Sequence, residues 1–240
     1  PVPYLQPLDG TVQQGHMFLI KGYALGETFT ISFATSLEVN VGDLEQSDAN
    51  LPFHCSICVA EKRIAATSLS QRSWSHVERS CKCPIRPDSE FEFRVRARAN
   101  EFEIFTGGKR LMTVGYGSPL SFLKCVCIIG SVELYDVRWL GHEYFSPLKA
   151  RINLAPLRSI FIYGDFEQST NDSELIVELK SATAVALRIC ARFEEKHISL
   201  SHKTKGRWSK NVLTCKGSEF PFKLNHTFEI IIGCASKAFQ

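Results

Sequence analysis

Hydrophobic and polar residues alternate in short runs along the whole of this 240-residue chain. Runs such as Phe29–Ser36 and Phe91–Arg98 are rich in aromatic and β-branched residues and are separated by Gly, Pro, Asn or Asp. No stretch shows sustained helical periodicity with caps at both ends. The pattern predicts an all-β chain of many short strands, arranged as a sandwich or a barrel.

The chain also repeats itself. Three segments recur in the same order, roughly 135 to 140 residues apart: Met17–Gly22 with Ser159–Gly164, Trp74 with Trp208, and Phe91–Phe102 with Phe228–Phe239. This separation is about one domain length, so we predict two tandem copies of one domain, residues 1–141 and 146–240. The first copy continues past Phe102 through segments that the second copy lacks before Gln240. We therefore expect the second copy to be incomplete at its C-terminal end.

Composition narrows the functional classes. The net charge of +3, without a block of like charge, argues against nucleic acid as the main partner. No apolar run approaches the roughly 20 residues needed for membrane insertion. The nine cysteines do not recur at matching positions in the two copies, so reduced and mostly buried thiols are expected instead of a disulfide framework.

Two local patterns could indicate metal binding or phosphate binding, but we favour neither interpretation. The His54, Cys55 and Cys58 cluster lacks a second ligand pair at zinc-finger spacing, so neither a metal nor another cofactor is expected. Arg94, Arg96 and Arg98 alternate with apolar residues and could bind phosphate, but the second copy has no matching arginines. A solvated sheet face is the simpler interpretation of this stripe.

Three ordered elements carry a resemblance to a known family: Leu51–Ser68, Ser73–Ser80, and Ser118–Trp139 with its Ile-x-Gly-x-Val-x-Leu ending. In order and spacing they resemble the galectins, the β-galactoside-binding lectins, and the layout is closest to tandem-repeat galectins of the nematode kind. The resemblance implies two tandem antiparallel β-sandwiches of the galectin type, which are concanavalin-like, with the second incomplete.

The family pattern places His-x-Asn-x-Arg on one strand, Asn on the next, and then Trp-Gly-x-Glu-x-Arg. The resemblance implies carbohydrate-binding roles for the three matching residues of the first copy, His54, Trp74 and Arg79. The other four positions hold Ser56, Cys58, Thr67 and Val77. Exchange of the first arginine for Cys58 removes a charged donor, a loss on the order of 1.5 to 3 kcal/mol.

The second copy has drifted further from this pattern. Only Arg192 and Trp208 match it and are expected to contact sugar. The remaining positions hold Arg188, Cys190, Ser201, Asn211 and Leu213. Sugar binding is therefore expected at Trp74 before Trp208.

The resemblance implies a noncatalytic lectin for β-galactoside glycans, with weak or altered specificity. The alternative is a galectin-fold interaction or structural module that has lost sugar binding. A sandwich glycosidase needs two carboxylates across a groove, and no strand supplies them, so no enzyme is expected. The partners implied are glycoconjugates, with glycoprotein cross-linking or a dimer as further options. The family also implies cytosolic synthesis and export without a signal peptide.

Overall fold

A computed structural model describes residues 2–8, 10–40, 42–43, 49–76, 78–140, 147–165, 174–209, 213–223, 226–236 and 238–240. The chain divides into two compact units, residues 1–149 and residues 150–240. Both consist of antiparallel strands, which confirms the predicted all-β class. The predicted boundary between 141 and 146 lies outside the described residues.

The strands of the first unit are β1 (Tyr4–Pro7), β2 (Met17–Ala34), β3 (Leu51–Cys58), β4 (Arg63–Ser70), β5 (Ser73–Trp74), β6 (Arg79–Lys82), β7 (Ser89–Ala97), β8 (Glu101–Thr106), β9 (Lys109–Gly115) and β10 (Cys125–Leu140). A short 3₁₀ helix, Leu120–Phe122, precedes β10. The strand order is β5-β4-β3-β2-β7-β8-β9; in addition, β6 pairs with β4, and β10 pairs with both β1 and β2.

Strand β2 connects the two layers of this unit. Its residues 28–33 pair with β3, whereas its residues 17–24 pair with β7. The long β10 follows β2 over both parts, with register shifts after Gly130 and Leu134 where the ladder is interrupted. The sheet thus continues from one layer into the other and encloses the hydrophobic core, as in a sandwich.

The core between the layers is largely aromatic. Phe18, Phe33, Phe53 and Phe102 are each at most 1% exposed, and Phe33 lies 5.0 Å from Phe53 and 5.4 Å from Phe102 between ring centroids. Aromatic rings at these separations stabilise the fold by more than the free energy of burying their surface. This core fixes the apolar side of β3 and leaves the other side of that strand for a ligand.

The arginine stripe of β7 differs from its sequence interpretation. Arg94 and Arg96 are only 3% and 4% exposed, so the prediction of a solvated face is wrong for these residues. Arg94 Nε lies 2.7 Å from Glu92 Oε1. Arg96 Nη1 lies 4.0 Å from Oε2 of the buried Glu103. These carboxylates compensate the buried charge, which explains how arginine is tolerated there.

The second unit contains β11 (Ser159–Asp165), β12 (Glu174–Lys180), β13 (Val185–Arg192), β14 (His197–Thr204), β15 (Arg207–Trp208), β16 (Leu213–Lys216) and β17 (Thr227–Gly233), with a 3₁₀ helix at Gly217–Glu219. Strands β12 to β16 form one sheet, and β11 pairs with β17. Strand β12 pairs with β13, as the second part of β2 pairs with β3. The second unit therefore repeats the antiparallel arrangement of the first, as predicted.

The repeated glycine has a packing reason in both units. Gly22 lies opposite Phe91, and Gly164 lies opposite Phe228, across equivalent pairs of strands. A Cβ atom on either glycine would overlap its surroundings, which include the phenylalanine ring. Glycine is therefore required where the ring crosses the neighbouring strand.

Two further features concern the chain as a whole. All nine cysteines are free thiols, of which Cys55, Cys83, Cys125, Cys127 and Cys190 are buried. Among the described residues, no helix has the length and apolar character needed to cross a membrane.

Candidate functional site

The outward face of strand β3 is set by its packing on the core. The core side carries three fully buried side chains, Phe53, Cys55 and Ile57. Because successive strand residues point to opposite faces, His54, Ser56 and Cys58 share the outward side. The strand therefore presents His54, Ser56 and Cys58 together on one face. It also separates Cys55 from His54 and Cys58, which disfavours joint coordination of a metal.

Strand β4 adds a second row to this face. Three outward pairs face each other across the two strands: His54 with Thr67, Ser56 with Ala65, and Cys58 with Arg63. The turn between the strands includes Lys62 at a φ of 54°, and it is this turn that sets Cys58 opposite Arg63. The outward residues of β3 and β4 therefore form one surface.

Trp74 reaches the same surface through a tight reversal. Gln71 and Arg72 both adopt positive φ, 51° and 59°, which matches the twist of a two-residue hairpin turn. The Gln71 backbone N–H donates to the Asn50 side-chain oxygen at 2.9 Å and anchors this turn. Trp74 then pairs with Leu69 and packs against a small cluster that contains Leu69.

His54 and Trp74 form the centre of the candidate site. Their ring centroids lie 4.9 Å apart with an interplanar angle of 55°. His54 Nδ1 hydrogen-bonds to Ser32 Oγ at 2.8 Å, and this contact fixes the orientation of the imidazole. Burial lowers the pKa of His54 from 6.5 to about 4, so the ring is neutral at pH 7. A neutral imidazole beside an indole is thus held in place before any ligand arrives.

An ion pair borders this centre. Arg63 Nη2 contacts Glu78 Oε1, and both side chains are about half exposed. Glu78 belongs on the outward side because Ser80, two residues later, pairs with the outward Ala65. The site therefore has one guanidinium, held by a carboxylate, beside Cys58.

Arg79 lies on the other side of the sheet. It pairs with Ala66, which is fully buried in the core, and Cys81, two residues later, also packs on the core. The structure therefore does not bring Arg79 together with His54 and Trp74. Val77, the position of the motif glutamate, is outside the described residues.

In the second unit, Arg192 is engaged by carboxylates. Its Nε lies 2.7 Å from Glu174 Oε1, and its Nη1 lies 3.6 Å from Glu195 Oε2. The bond to Glu174 is the first cause of a raised pKa at Arg192. The guanidinium is thus directed to the edge strand β12, and His197 faces it across the sheet.

Trp208 has a different neighbour from its counterpart in the first unit. It is 43% exposed, and Arg188 lies over its ring with the guanidinium carbon 5.2 Å from the ring centroid. Lys203, its partner across the strands, places its ammonium 5.6 Å from the same centroid. The structure therefore combines Trp208 with two cations. Asn211 lies outside the described residues, and Leu213 pairs with Leu200 as Arg79 pairs with Ala66.

Sequence reasoning found no role for Ser32 and Arg63, and it set Glu78 aside as a replacement for the motif glutamate because neighbouring strand residues face opposite ways. The hairpin register between β3 and β4 could have revealed Arg63, since a four-residue loop after Cys58 puts Arg63 opposite it. Glu78 is one position beyond the motif glutamate, and only the pairing of β6 with β4 places it. Ser32 is brought in by the pairing of β2 with β3 and has no local signal.

The arrangement in the first unit suits a particular kind of ligand. An indole offers an apolar platform, a neutral imidazole can donate or accept, and a guanidinium donates hydrogen bonds. A ring that is apolar on one face and carries hydroxyl groups at its edge satisfies all three. Among the described residues, no group of three or more His, Cys, Asp or Glu side chains could hold a metal ion.

The comparisons with protein sequences agree over both units. The family model for galactoside-binding lectins matches residues 3–139 and 147–240. The whole chain is similar to 32 kDa beta-galactoside-binding lectins of Caenorhabditis elegans and Haemonchus contortus, at 26% and 24% identity. It spans 84% and 82% of those proteins. Human galectin-4 is 22% identical over 61% of this chain and 44% of its own length.

Solved structures show the same fold. A double variant of human galectin-16 matches 59% of this chain and 97% of its own, with a TM-score of 0.51 and 21% identity. A Caenorhabditis elegans galectin matches 59% of this chain and 92% of its own, with a TM-score of 0.50 and 14% identity. At these identities the likeness concerns the fold alone.

Proposed function

This chain belongs to the galactoside-binding lectin family, the galectins, and from that premise we propose that its first unit binds β-galactoside glycans without catalysing a reaction. The observation that carries the proposal is the contact of His54 with Trp74, whose ring centroids are 4.9 Å apart on one outward surface. Both residues match the family pattern, and both are held by neighbouring strands.

In the proposed complex, Trp74 stacks on the apolar face of the galactose ring, which is formed by its C–H groups. His54 donates or accepts a hydrogen bond at a ring hydroxyl through Nε2, since Nδ1 is already engaged with Ser32. Fixing the imidazole in advance reduces the ordering cost of binding.

We further propose that Arg63 supplies the guanidinium that the family pattern places at Cys58. The two residues face each other across β3 and β4, and Glu78 holds Arg63 as the motif glutamate would hold its arginine. Because the donor comes from a different strand, it approaches the sugar from a different direction. This displacement supports an altered specificity.

Affinity is expected to be modest. Ser56 and Thr67 provide shorter side chains than asparagine, and the relocated arginine is about half exposed. We expect lactose to bind in the high micromolar range or more weakly, about −5 kcal/mol in free energy. The competing function, an interaction module without sugar binding, is favoured by the same substitutions.

Calorimetric titration of the full chain with lactose separates these two functions. The wild-type chain is expected to release heat with a saturable isotherm, and Trp74→Ala is expected to release none. The thermal unfolding midpoint of Trp74→Ala, with and without lactose, serves as a control for folding. An unchanged isotherm in Trp74→Ala, or no response of the wild type to lactose and to a broad glycan array, would falsify the proposal.

The position of arginine is tested with a matched pair of variants. Arg63→Ala is expected to weaken lactose binding about tenfold, because a charged donor is worth roughly 1.5 to 3 kcal/mol. Arg79→Ala removes the same charge from the opposite face and is expected to leave binding unchanged. Weaker binding by Arg79→Ala together with unchanged binding by Arg63→Ala would instead give Arg79 the role of the motif arginine.

Partners and compartment follow from the family only as proposals. The partners are β-galactoside glycans on glycoconjugates, which two active units on one chain, or a dimer, would cross-link. The nine free thiols suit synthesis in a reducing compartment such as the cytosol. Export without a signal peptide would then bring the protein to extracellular glycans.

A further inference from the structure

We propose that the surface around Trp208 in the second unit binds acidic glycans, sugars that carry a sulfate or a carboxylate group. The inference rests on the proposed function only in taking the tryptophan surface as the sugar-facing side of the unit. It assigns to the second unit a ligand class that the family pattern does not specify.

Equivalent positions around the two tryptophans carry side chains of different charge. Arg188 occupies the place of His54, and Lys203 occupies the place of Leu69, in the same pairing register. The first unit thus has a neutral imidazole and a buried leucine beside its tryptophan. The second unit has two cations, both within 6 Å of the Trp208 ring centroid.

A depression with basic side chains lies beside Trp208. It has a volume of about 440 Å³ and is lined by Thr204, Lys205, Arg207, Trp208 and Ser209. Two of these residues are basic and none is acidic. The corresponding turn of the first unit has the neutral Gln71 and Ser73, with Arg72 as its cation. The depression is an open surface on which basic side chains outnumber acidic ones.

Positive charge exceeds negative charge around Trp208. Lys203, Lys205 and Arg207 form no ion pair with a carboxylate in the described part of the chain. Arg188 alone is paired, with its Nη1 3.4 Å from Glu178 Oε1, and Lys180 shares that carboxylate at 2.5 Å. The surface therefore has a surplus of positive charge that an anionic ligand would neutralise.

A neutral galactoside is a poor ligand for this surface. To stack on Trp208 it must displace the two cations over the ring and lose their attraction to the indole. A sugar with an anionic group can keep these cations close and hydrogen-bond to them, because charge-assisted bonds are the stronger kind. The same residues that disfavour lactose therefore favour an acidic glycan.

The test uses the full chain with Trp74→Ala, which removes the proposed site of the first unit. Titrations with lactose, 3′-sulfated lactose and 3′-sialyllactose are compared at about 50 and 300 mM NaCl. The sulfated or the sialylated sugar is expected to bind at least tenfold more tightly than lactose, and more weakly at the higher salt. Binding of both supports any anionic group, and binding of one identifies the group.

A matched pair of double variants locates the site. Arg188→Ala with Lys203→Ala is expected to abolish binding of the acidic sugar. Lys196→Ala with Lys216→Ala removes the same net charge near the other end of β14, roughly 20 Å away, and is expected to retain it. Thermal unfolding of each variant checks that the unit remains folded.

Equal binding of lactose and both acidic sugars, no binding of either acidic sugar, or equal loss in both double variants would overturn the inference. None of these results bears on the first unit, whose lactose binding is measured separately with the wild-type chain. Failure of the inference is therefore distinguishable from failure of the proposed function.

Discussion

The two units share their strand pairing but differ in the side chains that they present outward. Strand β4 pairs with β6 as β14 pairs with β16, so that Ala65 faces Ser80 and Ser199 faces Thr214. The two tryptophans follow the same kind of turn, with positive φ at Gln71 in one unit and at Lys205 in the other. Strand pairing depends on the apolar alternation, whereas outward residues can change without disturbing it.

The difference in charge is clearest at one pair of equivalent positions, His54 and Arg188. His54 is neutral because burial lowers its pKa to about 4, and its counterpart Arg188 is cationic and lies over the indole of Trp208. A duplicated scaffold therefore need not mean two equal sites. We propose neutral sugar as the ligand of the first unit and acidic sugar as the ligand of the second, and four predictions test this difference.

The largest expected effect is on stability as a function of pH. Because the pKa of His54 falls from 6.5 to about 4 on folding, the unfolded chain takes up the proton first as the pH falls. The stability from this residue is complete above pH 6.5 and is lost toward pH 4, on the order of 3 kcal/mol. Chemical denaturation across this range would measure the loss.

The control for this prediction is His54→Gln, which keeps a hydrogen-bonding side chain but does not titrate. Its unfolding free energy should fall less steeply between pH 6.5 and 4 than that of the wild type. The second unit has the non-titrating Arg188 at this position and should add no such slope. Equal slopes in the two proteins would show that His54 is not held neutral by burial.

The next largest effect is the difference in lactose binding between variants of the two tryptophans. Trp74→Ala is expected to remove lactose binding, a loss of roughly 2 kcal/mol or more, since aromatic anchors dominate binding surfaces. Trp208→Ala is expected to leave the lactose isotherm unchanged. Calorimetry on both variants gives the comparison directly, and a matching loss in Trp208→Ala would mean that both units bind neutral sugar.

A smaller effect tests whether Arg63 on β4 supplies the guanidinium that the family pattern places at Cys58 on β3. Arg63→Ala should weaken lactose binding about tenfold. Adding Cys58→Arg to that variant restores a guanidinium from the facing strand, beside Glu78, and should recover most of the affinity. Affinities of the single and double variants measure this rescue, and no recovery would argue that Arg63 acts through Glu78 alone.

The smallest effect concerns salt. Lactose is neutral, so its binding at Trp74 should change less than about twofold between roughly 50 and 300 mM NaCl. The acidic sugar at Trp208 should weaken several-fold over the same range. Titrations of the wild-type chain at the two salt concentrations test this, and a strong salt dependence for lactose would place it on the charged surface.

Sequence reasoning went furthest where a pattern extends over many residues. The alternation predicted the all-β class, and the recurring segments around Gly22 and Gly164 predicted two tandem copies, both of which the structure confirms. The family pattern also selected His54 and Trp74, which the structure brings into contact. The strand class and the repeat could be predicted because they depend on periodicity and on residue order, which are properties of the sequence itself. The binding roles of His54 and Trp74 stay predictions.

The remaining features depend on register and on long-range contacts. Arg63 enters the site because a turn sets it opposite Cys58, and Arg79 leaves it because β6 pairs with β4 in a register that the motif spacing does not reveal. Arg94 looked solvated because the alternation of charged and apolar residues does not reveal that tertiary packing buries this face of β7, where Glu92 of the same strand is its partner. A shift of one residue moves a side chain to the other face, so spacing alone cannot decide such positions.

The stoichiometry of lactose binding to the wild-type full chain tests the central claim most directly. If the scaffold is duplicated but the neutral-sugar site is not, calorimetry will give about one lactose per chain, and Trp74→Ala will remove it while Trp208→Ala will not. Two equivalent lactose sites per chain, or one site that survives in Trp74→Ala, would contradict the assignment of neutral sugar to the first unit.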